Sequence, residues 1–196
     1  MKRKNLFHYN SKILKVSQLA AIAVYDYIGK KDETSADRAA VHSMREELNK
    51  LDVEYEILDI DPDFSDTRLF CEKYSIEPEN AVNALLIKSK SQIREFVMPL
   101  IQATRRVDVN HKLKDITGFK KLSFADAELT KEVTGMELGA VTPVGLTGKD
   151  IPVYVDQPIM SLSFIILGAG VRSQKIRTTP DLFNKIPYSQ IVAISQ

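Results

Sequence analysis

Residues 81–104, AVNALLIKSKSQIREFVMPLIQAT, hold two strand-patterned runs, 81–90 and 94–104, joined by a short polar turn. So short a connection makes the pair an antiparallel hairpin, because parallel neighbours need a crossover of a dozen residues or more. Helices and further hairpins surround it without regular strand–helix–strand alternation. The pattern predicts an α+β chain built on a largely mixed sheet and argues against a doubly wound parallel one.

The remaining elements follow from local signals. Ser35 or Asp37 caps a helix running to about Lys50, and VEYEILDI alternates as a strand. DPDFSDT is a loop in which Ser65 caps the helix that carries Cys71. Asp108 caps DVNHKLKDIT, with Gly118 at its left-handed end. KKLSFA is a short strand. Asp126 caps the next helix and Gly135 ends it. IPVYVD, SFIILG and SQKIRTT are strands, Thr179 with Pro180 opens a last helix, and QIVAIS closes the chain as a strand.

A formal net charge of +1 hides a segregated distribution. Residues 1–31 carry +6, residues 32–79 carry −10, and residues 88–121 carry +6. A local basic block attracts anions that the whole molecule does not. In the second block, Arg105 and Arg106 end a strand just before an expected helix N-terminus, a place that favours phosphate; Lys112 and Lys114 follow. The plain alternative is a solvated surface pair.

Cys71 is the single cysteine, so no internal disulfide forms and a reducing, cytoplasmic compartment is expected. Its apolar neighbours predict a buried residue, not a nucleophile. His8, His42 and His111 lie far apart, so no metal set and no cofactor is expected. No membrane span is expected either, since the longest apolar run near the N-terminus, LAAIAV, is too short. Residues 1–35 read as a basic, amphipathic helical extension, with 36–196 as the main domain; the extension also suits an RNA-binding or membrane-surface arm. ILGAGVRS carries half of a dinucleotide fingerprint, but the third glycine and the following helix are missing, so a glycine-rich hairpin turn is the better reading.

One stretch asks for a function. GAVTPVG, residues 139–145, is a long apolar string with little side chain, set between a helix and a strand. Such a backbone lets main-chain N–H groups approach a ligand oxygen closely.

The order AVNALLIKSK, then RRVDVNHKLKDITGFKKLSFADAELTKEVTGMELGAVTPVG, IPVYVDQPIM and GAGVRSQKIRTTPDLF resembles the YbaK and prolyl-tRNA-synthetase-associated editing-domain family over roughly residues 36–195. The resemblance implies a mixed, partly barrel-like β-sheet surrounded by helices. It implies hydrolysis of mischarged aminoacyl-tRNA, such as alanyl- or cysteinyl-tRNA for proline, at the tRNA 3′ end. It places Gly139, Ala140, Val141, Thr142 and Pro143 beside the aminoacyl ester. The family's lysine, which orients the ester or the 3′ end, falls at Asn83, with Ala84 at the following threonine. Lys88, five residues along and roughly 16 Å away by strand rise, is a poor replacement. Two readings follow: a trans-acting deacylase, weakened or inactive for want of a cation at Asn83, or a non-catalytic paralogue that binds tRNA or another nucleotide.

Overall fold

A computed structural model describes residues 35–90, 95–146 and 148–196. The expected extension over 1–35 lies outside them except for Ser35. Helix α1 (Ser35–Lys50) leads to β1 (Tyr55–Asp59) and α2 (Thr67–Tyr74). Then come β2 (Val82–Ala84), β3 (Ile87–Ser89), β4 (Phe96–Gln102), α3 (Lys112–Thr117), β5 (Leu122–Phe124) and α4 (Ala127–Thr134). The chain closes with β6 (Val153–Asp156), β7 (Ile165–Gly168), β8 (Gln174–Thr178), α5 (Leu182–Lys185) and β9 (Ser189–Val192).

The strands form two open sheets, not a closed barrel. One is antiparallel, in the order β1-β8-β7. The other runs β5-β3-β4-β6-β9, with β2 also on β4. It is mixed as expected: β4 pairs antiparallel with β2 and β3, while β6 is parallel to both β4 and β9. A single parallel bridge, Ala81 to Ile166, joins the sheets. The main core lies between them and includes Met98, Leu100, Val153, Val155, Ile165, Leu167 and Phe183, all at most 2% exposed.

The hairpin forms, but its first arm breaks into β2 and β3. The cause is Pro99, which stands in β4 opposite the break and has no N–H for a ladder. Its carbonyl still accepts from the Leu85 amide at 3.1 Å, while the Leu86 carbonyl turns to Ala125. The break sets Asn83 and Leu85 at the edge of a groove.

Three local expectations shift. Asp66, not Ser65, caps α2, its carboxylate accepting from the Arg68 and Leu69 amides at 3.0 and 3.2 Å. Asp108 does not cap α3: it accepts from the His111 amide at 3.0 Å in a preceding turn, and the helix begins at Lys112. Arg105 and Arg106 are therefore several residues from a helix N-terminus. By contrast, Asp126 caps α4, and Gly118 and Gly135 end their helices at φ +71° and +80°. No helix among the described residues is long and apolar enough to cross a membrane.

Candidate functional site

A cavity of about 770 Å³ is walled by α2, β2, the turn at 138–141 and the facing ends of β7 and β8. That size suits a small-molecule or cofactor site. Gly139 and Val141 line it, and so does Asn83. The rest of the expected loop turns inward: Ala140 and Thr142 are fully buried, and Pro143 is buried behind them. Thr142 spends its hydroxyl on the Val144 amide.

The loop's hydrogen bonds decide what it can offer a ligand. The Leu138 carbonyl accepts from Arg172 Nη1 at 3.1 Å, the Gly139 carbonyl from Lys175 Nζ at 2.8 Å, and the Ala140 carbonyl from the Gly170 amide at 2.9 Å. All three donors come from the turn and strand at 170–175, so one segment holds three successive carbonyls. A trans peptide points its N–H opposite its C=O. Fixing the Leu138 and Ala140 carbonyls therefore fixes the Gly139 and Val141 N–H groups in the reverse sense. Those two amides have no acceptor among the described residues, whereas the Ala140 and Thr142 amides are taken by the Glu137 carbonyl and Met136 Sδ. The cavity wall thus includes two residues whose amides are fixed in direction and have no acceptor among the described residues.

Two glycines permit this packing. A Cβ on Gly168 would stand 2.3 Å from the Val141 carbonyl oxygen and 2.4 Å from that of Ala140. A Cβ on Gly139, whose φ is +87°, would meet Ser65 Oγ at 2.8 Å. The loop is also tied from behind: Glu47 of α1 accepts from the Gly145 amide at 2.8 Å, and the Tyr188 hydroxyl donates to the Pro143 carbonyl at 3.1 Å.

Lys175 is the residue that sequence reasoning missed. It lines the cavity at only 4% exposure and also donates to the Ser65 carbonyl at 2.7 Å. Its ammonium stands 5.5 Å from the Phe70 ring centroid. Burial pulls it down from the ordinary lysine value to about 8, against an opposing pull from Asp66. The expectation of a site without a cation rested on position 83 and its sequence neighbour Lys88. The sequence around it, SQKIRTT, holds a single apolar residue and so gives no local sign that Lys175 is buried; that follows from the packing of β8.

Asn83 is half-buried, and its Oδ1 accepts from the Thr67 hydroxyl at 2.5 Å. Cys71 also lines the cavity, and burial pushes its thiol up, which disfavours a nucleophilic thiolate. Among the described residues no group of three His, Cys, Asp or Glu side chains is placed to hold a metal ion.

The basic residues lie elsewhere. Arg105 and Arg106 are exposed and line a neighbouring concavity that Asn83 also borders. Arg105 Nη1 donates to Ser195 Oγ at 3.3 Å and Lys112 Nζ to the Ser195 carbonyl at 2.6 Å, so Lys112 is partly committed to the end of the chain. Lys114 lines a third concavity.

Comparison with known proteins gives these features a context. A family model described as an aminoacyl-tRNA editing domain matches residues 61–186. A model of bacterial fructose-1,6-bisphosphatase, glpX-encoded, matches only residues 8–67, of which 8–34 lie before the described region begins. The proline–tRNA ligase of Thermoanaerobacter sp. is 32% identical over 105 residues, which is 52% of this chain and 17% of that enzyme. That of Heliobacterium modesticaldum is 27% identical over 109 residues, 56% of this chain and 18% of the enzyme. The chain thus matches less than a fifth of the length of these relatives. Among solved structures, a candidate trans-editing enzyme for prolyl-tRNA synthetase superposes with TM-score 0.69 at 17% identity, covering 84% of this chain and 99% of that one. A hypothetical protein superposes with TM-score 0.70 at 18% identity, covering 79% and 99%. These two likenesses show the fold.

Proposed function

The chain belongs to the aminoacyl-tRNA editing domain family, and from that premise we propose that it is a trans-acting deacylase, with 36–196 as the editing unit, that hydrolyses the ester of mischarged aminoacyl-tRNA. The ester carbonyl oxygen sits on the Gly139 and Val141 amides. Water adds to the carbonyl carbon, and the oxygen gains its negative charge against two fixed donors. The bond to the ribose oxygen then breaks, that oxygen takes a proton originating from the water, and the amino acid leaves as the free acid. One donor of this kind is commonly worth about 3 kcal/mol of barrier.

The observation that carries this reading is the set of three pinned carbonyls, which leaves two residues of the cavity wall with amides fixed in direction and without an acceptor among the described residues. Lys175 adds a positive charge hydrogen-bonded to the peptide between them, polarising it further. The charge that Asn83 cannot supply thus has a source in the same cavity, which supports an active enzyme.

The Thr67–Asn83 bond favours a second reading. It commits the Asn83 carbonyl oxygen to the protein, as in a pocket that binds without cutting. Incubation with a panel of mischarged tRNAs separates the two. A deacylase shortens the ester lifetime of alanyl- or cysteinyl-tRNA for proline and spares prolyl-tRNA. A binding paralogue retains the charged tRNA and leaves every ester lifetime at its protein-free value; that result sinks the proposal.

A further inference from the structure

Two concavities continue from the cavity just described. The second, about 510 Å³, shares Asn83 and Leu85 with the first and reaches Arg105, Arg106 and Phe124. The third, about 330 Å³, shares Val109, Asn110 and Leu122 with the second and carries Lys90, Lys114, Lys120 and Lys121. The three concavities adjoin at these shared residues, in a groove whose charge is graded. Asp66 and Glu72 stand on the first part, while no Asp or Glu lines the other two. Among the described residues, none of the six cations on those two parts forms an ion pair.

Phe124 stands in the second part of the groove. It ends the edge strand β5 and is 55% exposed. A bare aromatic ring among unpaired cations is the combination that holds single-stranded nucleic acid, with phosphates on the cations and a base on the ring. A duplex end keeps its bases stacked on one another and offers the ring no free face beyond the terminal pair. An acidic polypeptide would use the cations but has no flat ring system for Phe124.

We propose that this groove seats the single-stranded 3′-terminal nucleotides of RNA, with a base stacked on Phe124 and the backbone running past Arg106 to the lysines. The polarity of the track rests on reading the first cavity as the aminoacyl site: the strand enters over the lysines, crosses Asn83 and delivers its terminal ribose to the Gly139–Val141 wall.

The test measures binding of uncharged RNA to the full chain by fluorescence anisotropy across a salt series. The probes are a short single-stranded oligoribonucleotide, a blunt RNA duplex of equal length, and polyglutamate as competitor. The single strand is expected to bind better than either. Phe124→Ala is expected to weaken it about tenfold with the salt slope unchanged. Arg106→Ala and a Lys120→Ala, Lys121→Ala double variant are each expected to flatten the slope, by about 0.7 for each phosphate no longer neutralised. All these side chains are exposed, and an unchanged melting temperature confirms that each variant folds. Equal binding of the duplex, equal competition by polyglutamate, or wild-type affinity in Phe124→Ala overturns the proposal. The outcomes stay separate from those of the deacylase reading. Esters left intact alongside these binding changes would sink the deacylase and keep the groove. Brisk deacylation with wild-type RNA binding in every variant would do the reverse.

Discussion

The two ends of the groove are built on opposite plans. At the Gly139 end most polar groups are engaged: three carbonyls, a buried ammonium and the Thr142 hydroxyl are each held in place by the surrounding fold, while the Gly139 and Val141 amides and the buried Ser65 hydroxyl have no partner among the described residues. At the Lys120 end almost nothing is engaged, and long cationic side chains stand in solvent without ion pairs. The first plan suits a reaction, because preorganised donors lose nothing to reorganisation as charge develops. The second suits a polyanion, whose phosphates can be met by mobile charges in many arrangements. A substitution should therefore act sharply at one end and gradually at the other.

The largest effect is expected at Gly168. A Cβ there meets two backbone carbonyl oxygens at 2.3 and 2.4 Å, and neither is the flexible end of a side chain. Gly168→Ala must push the 140–141 backbone away from β7. Deacylation should fall at least 100-fold, and overpacking should cost about 3 kcal/mol of stability by urea denaturation. Wild-type activity in this variant would show that the loop does not have to be fixed.

Lys175 comes next, and it separates catalysis from stability by sign. Its folded value, about 8, lies below the ordinary 10.5. Between those values the unfolded chain binds more protons than the folded one, so this group's contribution to stability rises with pH, by an order-of-magnitude total of about 3 kcal/mol. If the ammonium assists the oxyanion, activity instead falls as pH climbs through about 8. The wild type should thus gain stability and lose rate over the same window, relative to Lys175→Met, which should be slower by about 100-fold and lack both trends. Parallel pH profiles in the two proteins would reduce Lys175 to packing.

How far these features are legible in the sequence depends on the range of the interactions that make them. The hairpin over 81–104 and the helix ends at Gly118 and Gly135 are decided by neighbours in sequence, and they form as expected. The break at Leu85–Leu86 is decided by Pro99 across the strand pair, and the exchange of Ser65 for Asp66 at the α2 cap by burial of Ser65 beneath Gly139. The site follows the same rule. GAVTPVG marks itself by composition, but the atoms that aim it lie far along the chain: Lys175 is 36 residues from Gly139, and Arg172 is 34 from Leu138. A cation sought among the sequence neighbours of Asn83 is not found there, because the fold supplies one to the same cavity from β8. The glycine-rich turn at 168–173 does join two hairpin strands; its second task, packing against the 139–143 loop, exists only in the tertiary structure.

The smallest effect should come from Asn83, which stands where the two plans meet. Its side chain borders both the first cavity and the basic concavity, and its carbonyl oxygen is bonded to Thr67. Asn83→Ala removes a neutral hydrogen bond of about 1 kcal/mol and no charge. Deacylation should slow by less than about tenfold, carried by a weaker apparent affinity for charged tRNA with the maximal rate nearly kept. Asn83→Lys tests the same point from the other side. A new cation in a cavity that already holds Lys175 should lower that lysine's value further by like-charge repulsion and shift the alkaline limb of the rate profile to lower pH. A large gain in rate with an unmoved profile would mean that the missing charge belonged at position 83 all along, and that Lys175 serves only to hold the Gly139 and Ser65 carbonyls.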